Sequence, residues 1–323
     1  MCLKTKLALI VTAFMFSVSV SVSAKVIDRR TPTISYVTFQ SVDLSNPEVP
    51  LSISGQLRIP FYTNKDADAA QVFPAVVVLH SSGGVDSTGG FYIDALNDSG
   101  IATFEIDMWA ARGLSGGSDR PALPVLTVPD AFGALRYLTE HSNIDPGRIG
   151  VMGFSWGAVV TLLAATESYA ESFGNDDLRF AAHVAHYPVC WAYNVGIDGM
   201  EFSDLTGKPL LIQVGTLDGY DDGSEHCENL VASLSDSDRA AVSLNVYQNA
   251  QHGWDRLQPA ITVFDPFSHQ GMGGYVELAP NPGRANQSRT RVVRFFRDAL
   301  SAGNRGHFIP DFRRTSFPRS QRE

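Results

Sequence analysis

The stretch from Arg148 to Ala165, RIGVMGFSWGAVVTLLAA, constrains this chain more than any other. Its apolar run Ile149–Met152 reads as a buried strand, and the residues from Ala158 onward read as a helix. Between them stands Gly153-Phe154-Ser155-Trp156-Gly157, a G-x-S-x-G. A strand that turns into a helix over so few residues leaves no room for Cβ atoms at either end of the turn, and glycine stands at both ends. Such a turn pushes Ser155 out at the carboxyl end of the strand, beside the amino end of the helix. The positive end of that helix favours negative charge developing on a bound acyl group. A serine that merely caps a helix would fit the same letters, so the rest of the chain has to supply its chemical partners.

Strands and helices alternate along the chain. Ile34–Val42 and Leu51–Ile59 show rough alternation and β-branched enrichment, which predicts an antiparallel pair. Ala75–Leu79 (AVVVL) is a continuous apolar run, the mark of a strand buried on both faces. It runs into the polar, glycine-bearing loop His80-Ser81-Ser82-Gly83-Gly84. Helices are expected over Gly90–Ser99, Val128–His141, Ser224–Leu234 and Arg289–Leu300. Further strands are expected over Ile101–Ile106, Phe180–Tyr187, Pro209–Val214 and Val242–Tyr247. This order predicts an α/β fold: a mostly parallel central sheet with helices on both faces and ligands at the carboxyl strand ends.

A serine hydroxyl needs a base to take its proton, and the base needs a carboxylate to fix its tautomer. On a sheet of this kind the partners follow in the order serine, acid, histidine. Pro209–Val214 runs into Gly215-Thr216-Leu217-Asp218, which makes Asp218 the first acid beyond a strand end, with Asp221 and Asp222 as rivals. Val242–Tyr247 runs into Gln248-Asn249-Ala250-Gln251-His252, which makes His252 the base, with His269 as its rival further along. The oxyanion requires two backbone N–H donors. Trp156, next after the serine, supplies one, and the loop after Leu79 supplies the other through Ser82 or Ser81.

Other chemistries find little support. His183 and His186, three apart on a strand, point to opposite faces, and no His-Glu-x-x-His or paired-cysteine spacing occurs, so no metal site is expected. No G-x-G-x-x-G and no P-loop appear, so no nucleotide cofactor is expected either. The formal charge of -9 argues against nucleic acid or an anionic membrane as the main partner.

The amino end carries an address. Lys4 and Lys6 precede the apolar stretch Leu7–Phe16, and Val22-Ser23-Ala24 offers small residues for cleavage before Lys25. The apolar run is too short to cross a bilayer of about 30 Å. Residues 1–24 are therefore expected to be a signal peptide, and the mature protein to be exported, periplasmic or secreted, and free of the membrane. Residues 25–302 are then expected to form one α/β domain, and 303–323 a disordered basic tail without apolar periodicity. Cys2 leaves with the signal. Cys190 and Cys227 remain, each following the end of a predicted core strand, and an oxidising compartment suggests that they pair.

The chain thus resembles an α/β-hydrolase of the dienelactone hydrolase type over Ile34 to Leu300. The resemblance rests on PAVVVLHSSGG, FEIDMWAARG, RIGVMGFSWGA, AHYPVC, GTLDGYDDGSEHC and NAQHGWD. It implies Ser155 as nucleophile, Asp218 as acid and His252 as base. It also implies that the Ser82 and Trp156 N–H groups form the oxyanion hole. The enzymes that give the family its name carry cysteine where Ser155 stands and glutamate where Ser81 stands. A serine does not need that thiol-tuning carboxylate, so the two departures belong together, and dienelactone itself is not carried over as substrate. The family's substrate-carboxylate arginine lies in the segment after Asp107. Arg112 is the nearest match there, with a purely structural arginine as the alternative.

The reading is an exported serine hydrolase acting on a small carboxylic ester or lactone without a cofactor. An amidase or exopeptidase on the same scaffold and a non-catalytic binding homologue are the rival readings. The loops Asp107–Pro124, Cys190–Lys208 and Gly253–Pro282 are expected to rim the site, with Phe61, Trp109, Trp191, Trp254 and Tyr275 as candidate pocket aromatics.

Overall fold

The computed structural model describes residues 31–61, 71–174 and 178–301. The expected signal peptide and the basic tail lie outside these residues. The chain opens with β1 (Thr33–Val42), β2 (Pro50–Ile59) and β3 (Phe73–Leu79), followed by α1 (Ser87–Asp98) and β4 (Ala102–Asp107). Next come α2 (Val128–Thr139), β5 (Ile144–Phe154), α3 (Trp156–Leu163), α4 (Glu167–Gly174) and β6 (Ala182–His186). The last part holds β7 (Leu210–Leu217), α5 (Glu225–Ser233), α6 (Asp236–Ala241), β8 (Val242–Gln251), β9 (Ile261–Asp265), the short kinked α7 (Ser268–Gly271), β10 (Gly274–Leu278) and α8 (Pro282–Ala299).

The eight-stranded sheet runs β1-β2-β4-β3-β5-β6-β7-β8. β1 and β2 pair antiparallel, as do β2 and β4, and all the remaining pairs are parallel. This is the mostly parallel α/β arrangement expected from the alternation of apolar runs, and the α/β-hydrolase fold that the resemblance implies. In β3 the alternation is visible atom by atom. Val77 and Leu79 face the core beneath α2 and α3, with Phe132, Leu135 and Val160, while Val76 and Val78 face the core beneath α1 and α8, with Tyr92, Ile93 and Phe296. Each of these side chains is almost fully buried, and burying one stabilises the fold by roughly 1.5–3 kcal/mol.

The register places the chemistry. Leu79, at the end of β3, pairs with Gly153 near the end of β5. The loop after β3 and the serine turn after β5 therefore emerge side by side at the carboxyl edge of the sheet. β7 ends at Leu217 and β8 at Gln251, which brings Asp218 and His252 to the same edge.

Five elements depart from the sequence expectation. α8 starts at Pro282, a full two turns earlier than Arg289, with the Asn281 side chain accepting the Arg284 N–H at 3.2 Å as its cap. The expected loop Gly253–Pro282 contains a two-stranded ribbon of β9 and β10. α4 and α6, both short, occupy stretches read as connections.

Candidate active site

The serine turn is as tight as its glycines imply. A Cβ on Gly153 would lie 2.0 Å from the Gly157 carbonyl oxygen, and one on Gly157 would lie 2.4 Å from that of Leu79. Ser155 itself takes φ 48° and ψ −107°, outside the populated regions for a residue with a side chain. Such strain costs roughly 1–3 kcal/mol. It is held by the Ser155 N–H, which donates to the His186 carbonyl at 2.9 Å, and by the Val159 N–H, which donates to the Ser155 carbonyl at 2.9 Å.

Ser155 Oγ lies 2.8 Å from His252 Nε2, and His252 Nδ1 lies 2.8 Å from Asp218 Oδ2. An ionised carboxylate only accepts, so Nδ1 carries the proton and Nε2 is left to accept from the serine hydroxyl. The second Asp218 oxygen accepts the Tyr220 N–H at 2.9 Å. All three side chains are buried, with Ser155 the most exposed at 8%.

The rivals are engaged elsewhere. Asp221 accepts the N–H groups of Cys190 and Trp191, both at 2.8 Å, and so anchors the segment that follows β6. Burial, and then the neighbouring Asp218 carboxylate, hold Asp221 well above the usual carboxylate range. Asp222 pairs with the other rival: His269 Nδ1 lies 2.6 Å from Asp222 Oδ1 in an exposed contact that raises the histidine.

Two tyrosine rings flank His252, a feature that sequence reading does not anticipate. The Tyr220 ring centroid lies 4.3 Å and the Tyr187 centroid 4.6 Å from the imidazole. Each hydroxyl is tethered to a buried carboxylate. Tyr220 donates to Asp265 at 3.0 Å, and Tyr187 donates to Asp255 at 2.7 Å. Asp255 also accepts from Tyr92 at 2.8 Å, and burial pushes its carboxyl up to about 6.

On the oxyanion side, Ser82 and Trp156 line one cavity with Ser155. The Trp156 N–H stands at the first position of α3, where no intrahelical acceptor exists. The Ser82 carbonyl accepts from Gly117 N–H at 2.7 Å and Trp109 Nε1 at 3.1 Å, which fixes the loop after β3. His80 braces the same loop. Its Nε2 accepts the Met108 N–H at 2.9 Å, leaving Nδ1–H to donate to the Ser81 carbonyl at 2.7 Å. Burial lowers the His80 pKa, in keeping with the neutral ring these bonds require.

Arg112 is not where the sequence comparison put it. Its Nη1 lies 2.7 Å from Asp130 Oδ2 and donates to the Met108 carbonyl at 2.9 Å, in a buried pair beneath the loop. It lines no part of the cavity at Ser155. The arginine that does is Arg120, further along the same loop, which pairs with Asp265 from β9. Choosing between them requires knowing that Asp130 and Asp265, both distant in sequence, come to rest beside one and the other.

The cavity holds about 60 Å³, and all three expected rim loops contribute to it. Leu123, Pro124, Val159, Ala192, Ile197 and Met200 make most of its wall apolar. Of the candidate aromatics, Trp191 lines it. Trp109 packs on Trp156 at 5.4 Å, and Trp254 is fully buried behind Tyr187. Phe61 and Tyr275 are exposed.

Cys190 and Cys227 form a disulfide with Cα atoms 5.0 Å apart. It ties the Trp191 segment to α5. Among the described residues the group with metal-ligand spacing is Cys190, Asp221 and Cys227, and both of its sulfurs are consumed by this bond. His183 and His186 are both buried and belong to opposite faces of β6. The first packs on Phe180 in one core, the second between Tyr92 and Phe154 in the other.

Comparison with known proteins identifies the family and the fold. The model of the dienelactone hydrolase family matches residues 62–300. The uncharacterized protein YcjY of Escherichia coli (strain K12) is 33% identical over 125 residues, a match spanning 38% of this chain and 39% of that protein. Dienelactone hydrolase from Anabaena variabilis superposes with a TM-score of 0.52 at 20% identity, covering 84% of this chain and all of the other. The esterase Est2 of Thermogutta terrifontis superposes with a TM-score of 0.54 at 16% identity, covering 83% of this chain and 94% of that one. At such identities the two structures speak to the fold, whereas the family model speaks to descent: this chain is a hydrolase of the dienelactone hydrolase family.

Proposed function

We propose that the protein hydrolyses a carboxylic ester or lactone through a covalent acyl-enzyme on Ser155. The observation that carries this reading is the unbroken chain of 2.8 Å contacts from Ser155 Oγ through His252 to Asp218. Ser155 Oγ attacks the carbonyl carbon while its proton passes to His252 Nε2, and Asp218 stabilises the resulting imidazolium. The oxyanion is held by the N–H groups of Trp156 and Ser82. His252 then gives its proton to the departing alcohol oxygen. In the second half a water loses a proton to the same nitrogen and attacks the acyl carbon, and His252 returns that proton to Ser155 Oγ as the acyl–oxygen bond breaks and the acid leaves.

The mature enzyme works outside the cytoplasm. The charge and hydropathy of residues 1–24 support this, and so does a disulfide between the two cysteines beyond them. The test of the mechanism is reaction with a fluorophosphonate followed by peptide mass spectrometry. The modified residue is expected to be Ser155; modification elsewhere, or none in folded protein, would overturn the proposal.

A further inference from the structure

The wall of the cavity contains one ion pair, and it is already satisfied from within. Arg120 Nη2 donates to both oxygens of Asp265, at 2.9 and 2.8 Å, and Nη1 donates to the Gly117 carbonyl at 2.9 Å. The faces of its guanidinium lie against Trp156 and Phe267, with ring centroids 5.6 and 5.8 Å away. Asp265 is saturated. One oxygen also accepts the Phe267 N–H at 2.9 Å, and the other accepts the Tyr220 hydroxyl at 3.0 Å. The side chains are 10% and 5% exposed.

We infer that the acyl group of the substrate is uncharged, and that Asp265 sets this preference by neutralising Arg120. The inference rests on the serine-hydrolase reading above and adds the substrate class. A cation beside the nucleophile would by itself draw in a carboxylate-bearing acyl chain. Here such a chain would meet Arg120 with three of its five N–H donors already committed, its charge offset by the adjoining Asp265 carboxylate, and apolar wall around it. Displacing Asp265 would leave a buried carboxylate unpaired and free Tyr220, which flanks His252. Rejection by a like charge is a device for specificity.

The experiment compares ethyl butyrate with mono-ethyl succinate, which differ in a terminal methyl against a carboxylate, by acid release in a pH-stat. The wild-type protein is expected to favour the butyrate by roughly a hundredfold in kcat/KM. Asp265→Asn, its fold checked by circular dichroism, is expected to shrink that ratio at least about tenfold by gaining on the succinate. Adding Arg120→Met is expected to abolish the gain. Equal or better turnover of the succinate by the wild type would overturn the inference without need of any variant. So would an unchanged ratio in folded Asp265→Asn. Fluorophosphonate labelling of Ser155 in the same sample separates the two levels: labelled protein with the wrong preference refutes the substrate class alone. Unlabelled protein that turns over neither ester refutes the hydrolase reading and this inference together.

Discussion

The ring of Tyr187 lies 4.6 Å from that of His252, and its hydroxyl donates to Asp255 at 2.7 Å. Asp255 itself comes just after the histidine, past Gly253 and Trp254. The chain thus leaves the imidazole and returns within three residues to fix the ring packed on it. Tyr220 does the same from the other partner, sitting two residues after Asp218 and donating its amide to that carboxylate at 2.9 Å.

These tethers position His252, the proposed base. Tyr187→Phe and Tyr220→Phe each keep the ring and remove the hydroxyl bond to a buried carboxylate. Such a bond is worth about 1.5–3 kcal/mol. Part of that loss is expected in the transition state, as a fall of about tenfold in kcat with little change in KM. Steady-state kinetics on ethyl butyrate checks it; a KM effect alone would place the tyrosines in substrate binding instead.

The turn at Ser155 tolerates no side chain on its glycines. Gly157→Ala would set a Cβ against the Leu79 carbonyl, 2.4 Å away, where both partners are backbone. The expected outcome is a loss of at least about 1–3 kcal/mol of stability, read as a lower urea midpoint, with activity falling as β3 and the turn move apart. An unperturbed midpoint would show that the turn is looser than its geometry.

Glu105 on β4 gives the fold a pH dependence. Burial, opposed in part by Arg58, pushes its carboxyl from 4.5 up to about 7. The folded state therefore holds this proton more tightly than the unfolded chain does. Stability from this group is greatest below about pH 4.5, falls as pH rises towards 7, and then levels off, by up to roughly 3 kcal/mol. Glu105→Gln is expected to flatten the urea-denaturation free energy across that window and to raise it at pH 8. A slope unchanged by the substitution would assign the effect to another group.

The Cys190–Cys227 bridge closes a loop with a sequence separation of 37 residues and holds the Trp191 wall of the cavity. Replacing both cysteines with serine is expected to cost about 2–4 kcal/mol, seen as a lower Tm. Residual activity is expected to shift towards bulkier acyl chains as the wall loosens. A double variant with the wild-type chain-length profile would show that Asp221 alone, through its two bonds to Cys190 and Trp191, is enough to hold that wall.

Much of this site was legible in the sequence because the sheet writes its strands as apolar runs and its chemistry at their ends. Ser155, Asp218 and His252 each follow such a run, and the structure brings the three together. What stayed hidden depends on contacts between distant segments. Arg112 and Arg120 share one loop, and only the arrival of Asp130 and Asp265 decides which arginine faces the cavity. The β9–β10 ribbon is largely exposed, so its residues carry no buried-face alternation to betray it. The early start of α8 was written in Asn281-Pro282, a cap followed by proline at the first turn, but that signal lies outside the apolar periodicity that marks the helix body.

The central claim is that Ser155 is the nucleophile. The most direct measurement is kcat/KM for ethyl butyrate hydrolysis by residues 25–323 as wild type and as Ser155→Ala, with circular dichroism and Tm on both. Removing the nucleophile is expected to lower turnover by at least about 10³-fold with the fold intact, and to lower Tm by no more than the loss of one buried hydrogen bond, about 1 kcal/mol, allows. Turnover that persists at the wild-type level in the folded Ser155→Ala protein would contradict the mechanism.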